Sequence, residues 1–366
     1  MIYMDNGATS YPKPRQVVNA IKEACAQVGN PGRGIHPLAV WSSLKIAEAR
    51  SKIAELFNIS DPLRVAFTMN ATHSLNIAVN LCRGHIVTTS MDHNSVLRPV
   101  YARKYYTIVG AHRDGHIEPQ NIIKAISDNT GAVIMTHASN VTGEIYDIEA
   151  VGAYCRKKKI LFIVDCAQSA GAVPIDVKKM NIDCLCFTGH KGLFGLQGTG
   201  GIYVAPHVPI RPYMLGGTGT QSYSLAPPMQ MPECFEAGTL NTHGIATLCA
   251  GVDYLNEIGV EKLHKAEMKL RKYFVDKLSS SSKITVYGPL DAEYTGVISV
   301  NVAGMEPKEV GVLMAEKGIC CRTGYHCAPL AHKSLGTVPA GTVRFSLNHV
   351  NTLEEIDTVA GLLLSI

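Results

Sequence analysis

Short β-rich segments alternate with helical patterns through the middle of the chain. The strand candidates lie at 65–69, 85–90, 132–139, 160–167, 184–190 and 200–205. Several of them are almost continuously apolar, as expected of strands that are buried on both faces of a sheet. Between two of them, the segment 147–159 begins with Asp147, a good N-cap residue, and ends in three lysines, which suit the end of a helix. This alternation predicts an α/β fold with an open, mostly parallel sheet that binds ligands at the carboxyl ends of its strands.

The C-terminal third of the chain has a different pattern. A largely helical stretch is followed by a strand, a helix, a second strand and a last helix, at 244–282, 297–302, 306–318, 341–348 and 352–365. This order is typical of a small α+β domain. We therefore expect a large domain at 15–250 and a small domain formed by 1–14 and 251–366.

Composition narrows the class of protein. The chain has 366 residues, a formal net charge of +4 and scattered basic residues, and this distribution argues against a nucleic-acid-binding protein. No apolar stretch approaches the ~18 residues that span a bilayer, and the first residues lack the pattern of a secretory signal. Eleven cysteines, an odd number, indicate reduced thiols. We expect a cytoplasmic protein that binds neither nucleic acid nor membranes.

Two residues at strand ends suggest a particular cofactor. Lys191 follows an apolar strand and opens a Gly-rich stretch, where apolar surroundings could lower its pKa and make it a nucleophilic amine. Asp165 ends another apolar strand about 25 residues earlier, and a carboxylate there is costly to bury unless it meets a cation or a ligand. An exposed loop lysine and a simple N-cap are the alternatives. Together, the pair matches what a pyridoxal phosphate (PLP) site requires.

A phosphate site is the third requirement of that cofactor. The strand at 65–69 leads through Asn70, Ala71 and Thr72 into an amphipathic helix. Backbone amides at a helix N-terminus bind phosphate, and Thr72 can add a hydroxyl group. Most strand–turn–helix junctions hold no phosphate, so this pattern has weight only beside Lys191 and Asp165.

At this point an ordered series of motifs resembles a known family. The motifs are YMDNGAT (3–9), RGIH (33–36), NATHSLN (70–76), MDHNS (91–95), HASNVTGE (137–144), VDCAQ (164–168), TGHK (188–191), AGTLN (237–241), RTGYHC (322–327) and VRFSLN (343–348). They follow one another in order along nearly the whole chain. In this order they resemble cysteine desulfurases and selenocysteine lyases of the class V aminotransferase group, which are PLP enzymes of fold type I. The resemblance departs from the common pattern at Asn70 and His73 and at the Cys320-Cys321 pair.

The resemblance implies a role for each residue around the cofactor ring. Lys191 would hold PLP as a Schiff base, and Asp165 would pair with the ring nitrogen. Gln168 would hydrogen-bond the ring hydroxyl, and His93 would stack on the ring and assist catalysis. A carboxylate against the ring nitrogen keeps the ring a good electron sink.

The resemblance also implies residues for the phosphate and the substrate. The phosphate residues would be Ala71, Thr72, Thr188 and His190, with Thr239 reaching in from the second subunit of a homodimer. The substrate residues would be Asn140, Arg344, Arg322 and His36. Arg344 would hold the substrate carboxylate as a two-pronged donor, a geometry that lysine does not provide.

Cys327 lies in CRTGYHCAPLAH (321–332), a stretch whose Gly and Pro content predicts a loop. It could be a structural thiol, a metal ligand or a nucleophile. The zinc candidates Cys320, Cys321, His326, Cys327 and His332 have adjacent and irregular spacings that fit no common zinc pattern, so we expect no metal. Structural cysteines lie in apolar runs, as Cys25, Cys82, Cys155 and Cys249 do. We therefore predict that Cys327 is the nucleophile.

The resemblance then implies a complete reaction. The amine of L-cysteine displaces Lys191, which removes the α-proton, and the Cys327 thiolate attacks the substrate sulfur to give alanine and a persulfide. The short loop resembles the group of enzymes that depend on a separate sulfur-acceptor protein. A selenocysteine lyase would use the same site, whereas a class V aminotransferase or epimerase would not need Cys327. A non-enzymatic zinc or interaction module would bind no PLP.

Overall fold

A computed structural model describes residues 1–32 and 34–366, so Arg33 of the RGIH motif lies outside the described residues. The strands are β1 (Ile2–Tyr3), β2 (Val65–Thr68), β3 (His85–Thr89), β4 (Tyr106–Val109), β5 (Thr130–Thr136), β6 (Leu161–Asp165), β7 (Cys184–Thr188), β8 (Gly200–Val204), β9 (Ile284–Tyr287), β10 (Val297–Val302), β11 (Ile319–Cys320), β12 (Arg322–Gly324) and β13 (Thr342–Ser346). The helices are α1 (Arg15–Gln27), α2 (Pro37–Leu56), α3 (Ala71–Leu81), α4 (Asn94–Ala102), α5 (Pro119–Ala125), α6 (Ile148–Lys158), α7 (Thr242–Ile258), α8 (Val260–Leu278), α9 (Pro307–Glu316), α10 (Pro329–Leu335) and α11 (Leu353–Ser365).

The larger sheet has the order β2-β8-β7-β6-β5-β3-β4. The strands from β7 to β4 pair in parallel, and β8 runs antiparallel to both of its neighbours. Strands β2, β7 and β8 are buried along their whole length, as their nearly continuous apolar sequences predict. The predicted α/β class with a mostly parallel central sheet is therefore confirmed.

Strand β4 was not predicted from the sequence. It lies at the edge of the sheet beside β3, and Thr107 and Ile108 within it are exposed. An edge strand with exposed positions lacks the continuous apolar run that marks the central strands. The predicted helix at 147–159 does form as α6, and the side chain of its N-cap residue, Asp147, accepts the Ala150 N–H at 3.0 Å.

A smaller antiparallel sheet, β12-β13-β10-β9, lies in the C-terminal part of the chain. Its core contains Phe274, Phe345 and Met4, so the N-terminal residues pack with this sheet. The core around the larger sheet includes Leu263 and three side chains of the 328–335 segment: Ala328, Ala331 and Leu335. The two cores are compatible with a two-domain chain, while the boundary at residue 250 stays a prediction.

The segment 321–332 is more regular than predicted. Arg322–Gly324 forms β12, which pairs with β13, and Pro329–Leu335 forms α10. Pro329 begins the helix, where its missing N–H is not needed, and Gly336 ends it in the left-handed conformation. Only residues 325–328 remain as a connection. The prediction of a loop throughout this segment was therefore wrong.

The cysteines are all free thiols, and Cys82, Cys155 and Cys249 are buried as predicted. Cys25 is exposed on α1, so the prediction of a core position was wrong for this residue. Among the described residues, no helix combines the length and apolar character needed to cross a bilayer.

Candidate active site

A cavity opens where β5, β6 and β7 end, at Thr136, Asp165 and Thr188. It lies at the carboxyl ends of parallel strands, as the sequence pattern predicts. Nine of the predicted site residues line it: Ala71, Thr72, His93, Asn140, Asp165, Gln168, Thr188, His190 and Lys191. Asn70, Ser95, Thr136 and Ala167 complete the lining. The structure therefore brings most of the predicted cofactor residues together in one place.

Lys191 follows β7 by three residues and projects into this cavity. Burial, together with the nearby Arg344 guanidinium, lowers the pKa of Lys191 to about 8, and Asp165 opposes this shift. A lysine with this pKa is partly neutral near pH 7–8, so its amine is available as a nucleophile or a base.

Asp165 is buried at the end of β6, and its Oδ1 accepts the Ala167 N–H at 2.9 Å. Burial raises its pKa, and the Ala167 N–H and Lys191 oppose this shift. A cationic ring nitrogen placed against the carboxylate would offset the cost of burying it. Gln168 lies beside it and donates from Nε2 to the Gly7 carbonyl at 3.0 Å.

The opposite wall of the cavity is the start of α3. The Asn70 side chain caps this helix by accepting the His73 N–H at 2.9 Å, and the Ala71 and Thr72 amides at its N-terminus have no partner within the helix. The Thr72 hydroxyl contacts the Ser95 hydroxyl at 2.7 Å. Across the cavity, His190 Nδ1 is buried and has no hydrogen-bond partner among the described residues. Free amides, hydroxyls and an unpartnered ring nitrogen suit a phosphate group.

His93 is the N-cap residue of α4, and its Nδ1 accepts the Ser95 N–H at 3.0 Å. Burial, with Lys191 and Arg344 nearby, lowers its pKa to about 4. The ring is therefore neutral at pH 7, and its proton is on Nε2 because Nδ1 is the acceptor. A neutral, oriented ring is suited to lie against an aromatic cofactor.

Asp92, next to His93, is a residue whose role sequence analysis missed. It is fully buried, and its Oδ2 accepts the Thr88 hydroxyl and the Thr89 N–H and hydroxyl at 2.7–2.8 Å. Its Oδ1 accepts the Thr136 N–H at 2.6 Å. Asp92 thus joins the ends of β3 and β5 and fixes the turn that presents His93. The MDHNS motif was the available signal.

Arg344 lies on β13, is buried, and points toward the same region. Its Nη1 donates to the Asn140 carbonyl at 3.0 Å, and its Nη2 donates to Asp5 Oδ1 at 3.1 Å. Its Nε is buried without a hydrogen-bond partner among the described residues. This free donor suits a substrate carboxylate. Asp5, which sequence analysis did not assign, orients the guanidinium.

Arg322 lies opposite Arg344 in the β12–β13 register and is half-exposed. Its Nη2 contacts Asp5 Oδ2 at 2.9 Å, so the Asp5 carboxylate pairs with the guanidinium groups of both Arg322 and Arg344. Arg322 therefore lies beside the predicted substrate residue Arg344, but its own guanidinium is paired with Asp5.

Cys327 is exposed on the 325–328 connection, which two asparagines hold against the large sheet. Asn140 Nδ2 donates to the His326 carbonyl at 2.6 Å, and the Asn94 N–H donates to the Cys327 carbonyl at 2.8 Å. His326 and Cys327 both have left-handed backbone conformations, with φ of 49° and 58°. Because Asn140 also lines the cavity, one side chain connects the Lys191 site to the backbone beside Cys327.

The positively charged groups near Cys327 are arginines and not histidines. Burial lowers the pKa of His326 to about 2 and that of His332 to about 4, so both rings are neutral at pH 7. Arg322 and Arg344 are close enough to interact electrostatically with Cys327. Burial raises the pKa of Cys321 to about 12, and this side chain packs on the smaller core. The two arginines, rather than the histidines, are therefore the positively charged groups in the surroundings of Cys327.

Five predicted site residues do not line the cavity: Arg344, Arg322 and Cys327, described above, and His36 and Thr239. His36 is exposed and caps α2, where its Nδ1 accepts the Ala39 N–H at 3.4 Å. Thr239 is exposed in the segment that leads into α7. The structure of one chain brings neither residue to Lys191.

The chain belongs to the aminotransferase class-V family, whose model matches residues 2–359. Two curated relatives carry the name "Probable cysteine desulfurase". The one from Methanothermobacter thermautotrophicus is 34% identical over 97% of this chain and 92% of its own length. The one from Pyrococcus abyssi is 35% identical over 99% of this chain and 93% of its own length. The apo structure of a cysteine desulfurase from Thermococcus onnurineus NA1 has a TM-score of 0.93 and 34% identity, covering 100% of this chain and 94% of that one.

Proposed function

We propose that this protein is a PLP-dependent cysteine desulfurase that converts L-cysteine to L-alanine and leaves the sulfur on Cys327 as a persulfide. One observation carries the proposal: Asn140 lines the Lys191 cavity and also holds the backbone beside an exposed thiol. An aminotransferase or epimerase has no need of that thiol. The names of the full-length relatives agree with the proposal.

The residues of the cavity fit PLP. Lys191 would hold it covalently, Asp165 would face its ring nitrogen, and the start of α3 with Thr72 and His190 would bind its phosphate. When bound, PLP supplies an electron sink for negative charge at the substrate α-carbon. His93 would lie against the ring, and Gln168 would reach its hydroxyl.

Lys191 also serves as the base in this proposal. Its neutral amine would take the α-proton from L-cysteine and would return a proton to the same carbon when L-alanine forms. Its pKa of about 8 supports this role because the neutral amine is well populated near physiological pH.

The Cys327 thiolate completes the reaction. It attacks the substrate sulfur, so that a sulfur–sulfur bond forms while the carbon–sulfur bond breaks. The electron pair of the broken bond stays with the carbon, which takes up a proton to become the methyl group of alanine. Arg322 and Arg344 are the positively charged groups that interact electrostatically with this side chain. A separate acceptor protein would then collect the sulfur from this exposed position.

Turnover of L-cysteine tests the proposal directly. The purified protein, supplied with PLP and a thiol reductant, should release alanine and sulfide in equal amounts, measured by amino-acid analysis and a colorimetric sulfide assay. 3-Mercaptopyruvate or a racemised amino acid as the product, without alanine, would favour the aminotransferase or epimerase alternative.

Arg344→Lys should weaken the binding of L-cysteine. Lysine keeps the positive charge but loses the planar set of donors that reaches Asn140, Asp5 and the substrate together. The loss should be about 1.5–3 kcal/mol, the typical value of a charge-assisted hydrogen bond. Steady-state kinetics should show the change in KM; unchanged kinetics would mean that another group holds the carboxylate.

A homodimer with composite sites is part of the proposal. Thr239 and His36 are exposed and outside the cavity of their own chain, and apolar side chains such as Leu44, Tyr223 and Leu225 are also exposed. A second copy of the chain would cover such surface and could bring Thr239 to a phosphate. Light scattering should give twice the chain mass of 39.4 kDa, and a fully active monomer would refute the dimer.

A further inference from the structure

The carbonyl oxygen of His190, the residue before Lys191, accepts four donors from one short segment. They are the Ser10 N–H, the Ser10 hydroxyl and the Thr9 hydroxyl at 3.1 Å each, and Lys13 Nζ at 2.9 Å. A carbonyl oxygen has two lone pairs, so four donors at these distances are more than it usually receives. Only the lysine is charged, and charge-assisted hydrogen bonds are the stronger kind.

Lys13 has no carboxylate partner among the described residues. Its Nζ contacts the His190 carbonyl and the Ser10 hydroxyl, the latter at 2.8 Å. It is partly buried, and burial lowers its pKa to about 8. Burying an ammonium group without an acid is costly. The two neutral oxygens that it contacts are therefore its main compensation.

The bonded carbonyl belongs to the peptide unit that leads into Lys191. Beyond this unit, the Phe194 N–H donates to the Lys191 carbonyl at 2.9 Å, and before it the Gly189 N–H donates to the Thr199 carbonyl at 2.8 Å. The backbone that carries Lys191 is thus held on both sides. A shift of this peptide would move the base of the long Lys191 side chain, and small misplacements of reacting groups reduce rates strongly.

The segment that holds His190 is itself anchored to the smaller sheet. Asn6 Nδ2 donates to the Ser346 carbonyl at 3.0 Å, and the Gly7 N–H donates to the Ser346 hydroxyl at 2.7 Å. Ser346 ends β13, the strand that carries Arg344. Residues 6–13 therefore link the strand of the proposed carboxylate-binding residue to the backbone of Lys191.

We propose that Lys13 is a positioning residue that, through the His190 carbonyl, fixes the peptide from which Lys191 projects. The inference rests on the proposed function in that it takes Lys191 as the base. Lys13 does not line the cavity and acts only through the backbone.

The test compares Lys13→Met with Lys22→Met, a matched change at an exposed lysine on the neighbouring α1. Proteins loaded with PLP are incubated with L-alanine in D₂O, and the exchange of its α-proton is followed by NMR. L-Alanine has no sulfur, so this reaction depends on Lys191 but not on Cys327. Exchange per bound PLP should fall about tenfold or more in Lys13→Met. The half-saturating L-alanine concentration should not change, and Lys22→Met should match the wild type.

A second measurement needs no cofactor. Amide hydrogen exchange of the apoprotein should be faster across residues 189–195 in Lys13→Met than in Lys22→Met. If Lys13→Met does not fold, Ser10→Ala, which removes the hydroxyl that contacts both Lys13 and His190, should show the same two changes in smaller degree.

A folded Lys13→Met protein with wild-type α-proton exchange per bound PLP would overturn the inference. Failure of the proposed function looks different: wild-type protein would exchange no α-proton, or Lys191→Ala would exchange it as fast as the wild type. In that case the amide exchange of the apoprotein would still report whether Lys13 anchors the 189–195 backbone.

Discussion

Lys191→Ala should fold normally and bind PLP only reversibly, and its turnover of L-cysteine should fall by at least about a thousandfold. A base of this kind contributes roughly 10²–10⁴ to a rate, and this variant also loses the covalent attachment of the cofactor. The wild-type protein should show a visible absorbance band that borohydride bleaches with covalent fixation of the cofactor. Lys191→Ala should retain no PLP after the same reduction and dialysis.

Lys22→Ala is the control, because it removes an exposed lysine that takes no part in the site. Peptide mapping of the reduced wild-type protein should find the modified lysine in the 189–195 region. A modified lysine elsewhere in the chain would show that the cofactor assignment is wrong.

Cys327→Ser should keep the fold, the bound PLP and the spectral response to L-cysteine, while sulfide release falls by at least about a hundredfold. The side chain is exposed and outside both cores, so little packing is lost. A serine hydroxyl is a much poorer sulfur acceptor than a thiolate. Single-turnover experiments that measure sulfide and alanine separately should show the loss.

Cys25→Ser provides the matched control, since Cys25 is also an exposed thiol but lies on α1. It should turn over L-cysteine at the wild-type rate. After one turnover of wild-type protein without reductant, mass spectrometry should locate the extra sulfur on the Cys327 peptide. Sulfur on Cys320 or Cys321 instead, or normal turnover by Cys327→Ser, would contradict the central step of the mechanism.

The sequence predicted the parts of the site that depend on local pattern. Lys191 follows one buried strand and Asp165 ends another, and strand ends meet at one edge of a parallel sheet, so their convergence could be expected. The contacts that orient the site could not be predicted from such patterns. Asp5 meets Arg344 across 339 positions of the chain, and Lys13 meets His190 across 177. No periodicity in the sequence reports contacts of that kind.

Burial decides which side chains near Cys327 carry a positive charge. The sequence shows two histidines close to this cysteine, and an exposed histidine could carry a positive charge. In the fold, His326 and His332 are buried, and desolvation keeps both neutral at pH 7. Arg344, which is 17 positions away in sequence, reaches the region because β13 pairs with β12. The thiol's electrostatic surroundings therefore come from sheet pairing and not from its chain neighbours.

The hydrogen bonds to the His326 and Cys327 carbonyls limit how a persulfide sulfur on Cys327 would reach an acceptor protein. Because two successive peptides are held, the 325–328 connection cannot move far as a unit. The outer sulfur of a persulfide on Cys327 would then travel only as far as the cysteine side chain rotates. The acceptor protein that we propose would therefore have to approach the sulfur and present its own thiol on a projecting surface that fits over residues 325–328. Sulfur transfer would then depend on the shape of the acceptor protein, and a flat surface with an equally reactive thiol would not receive the sulfur.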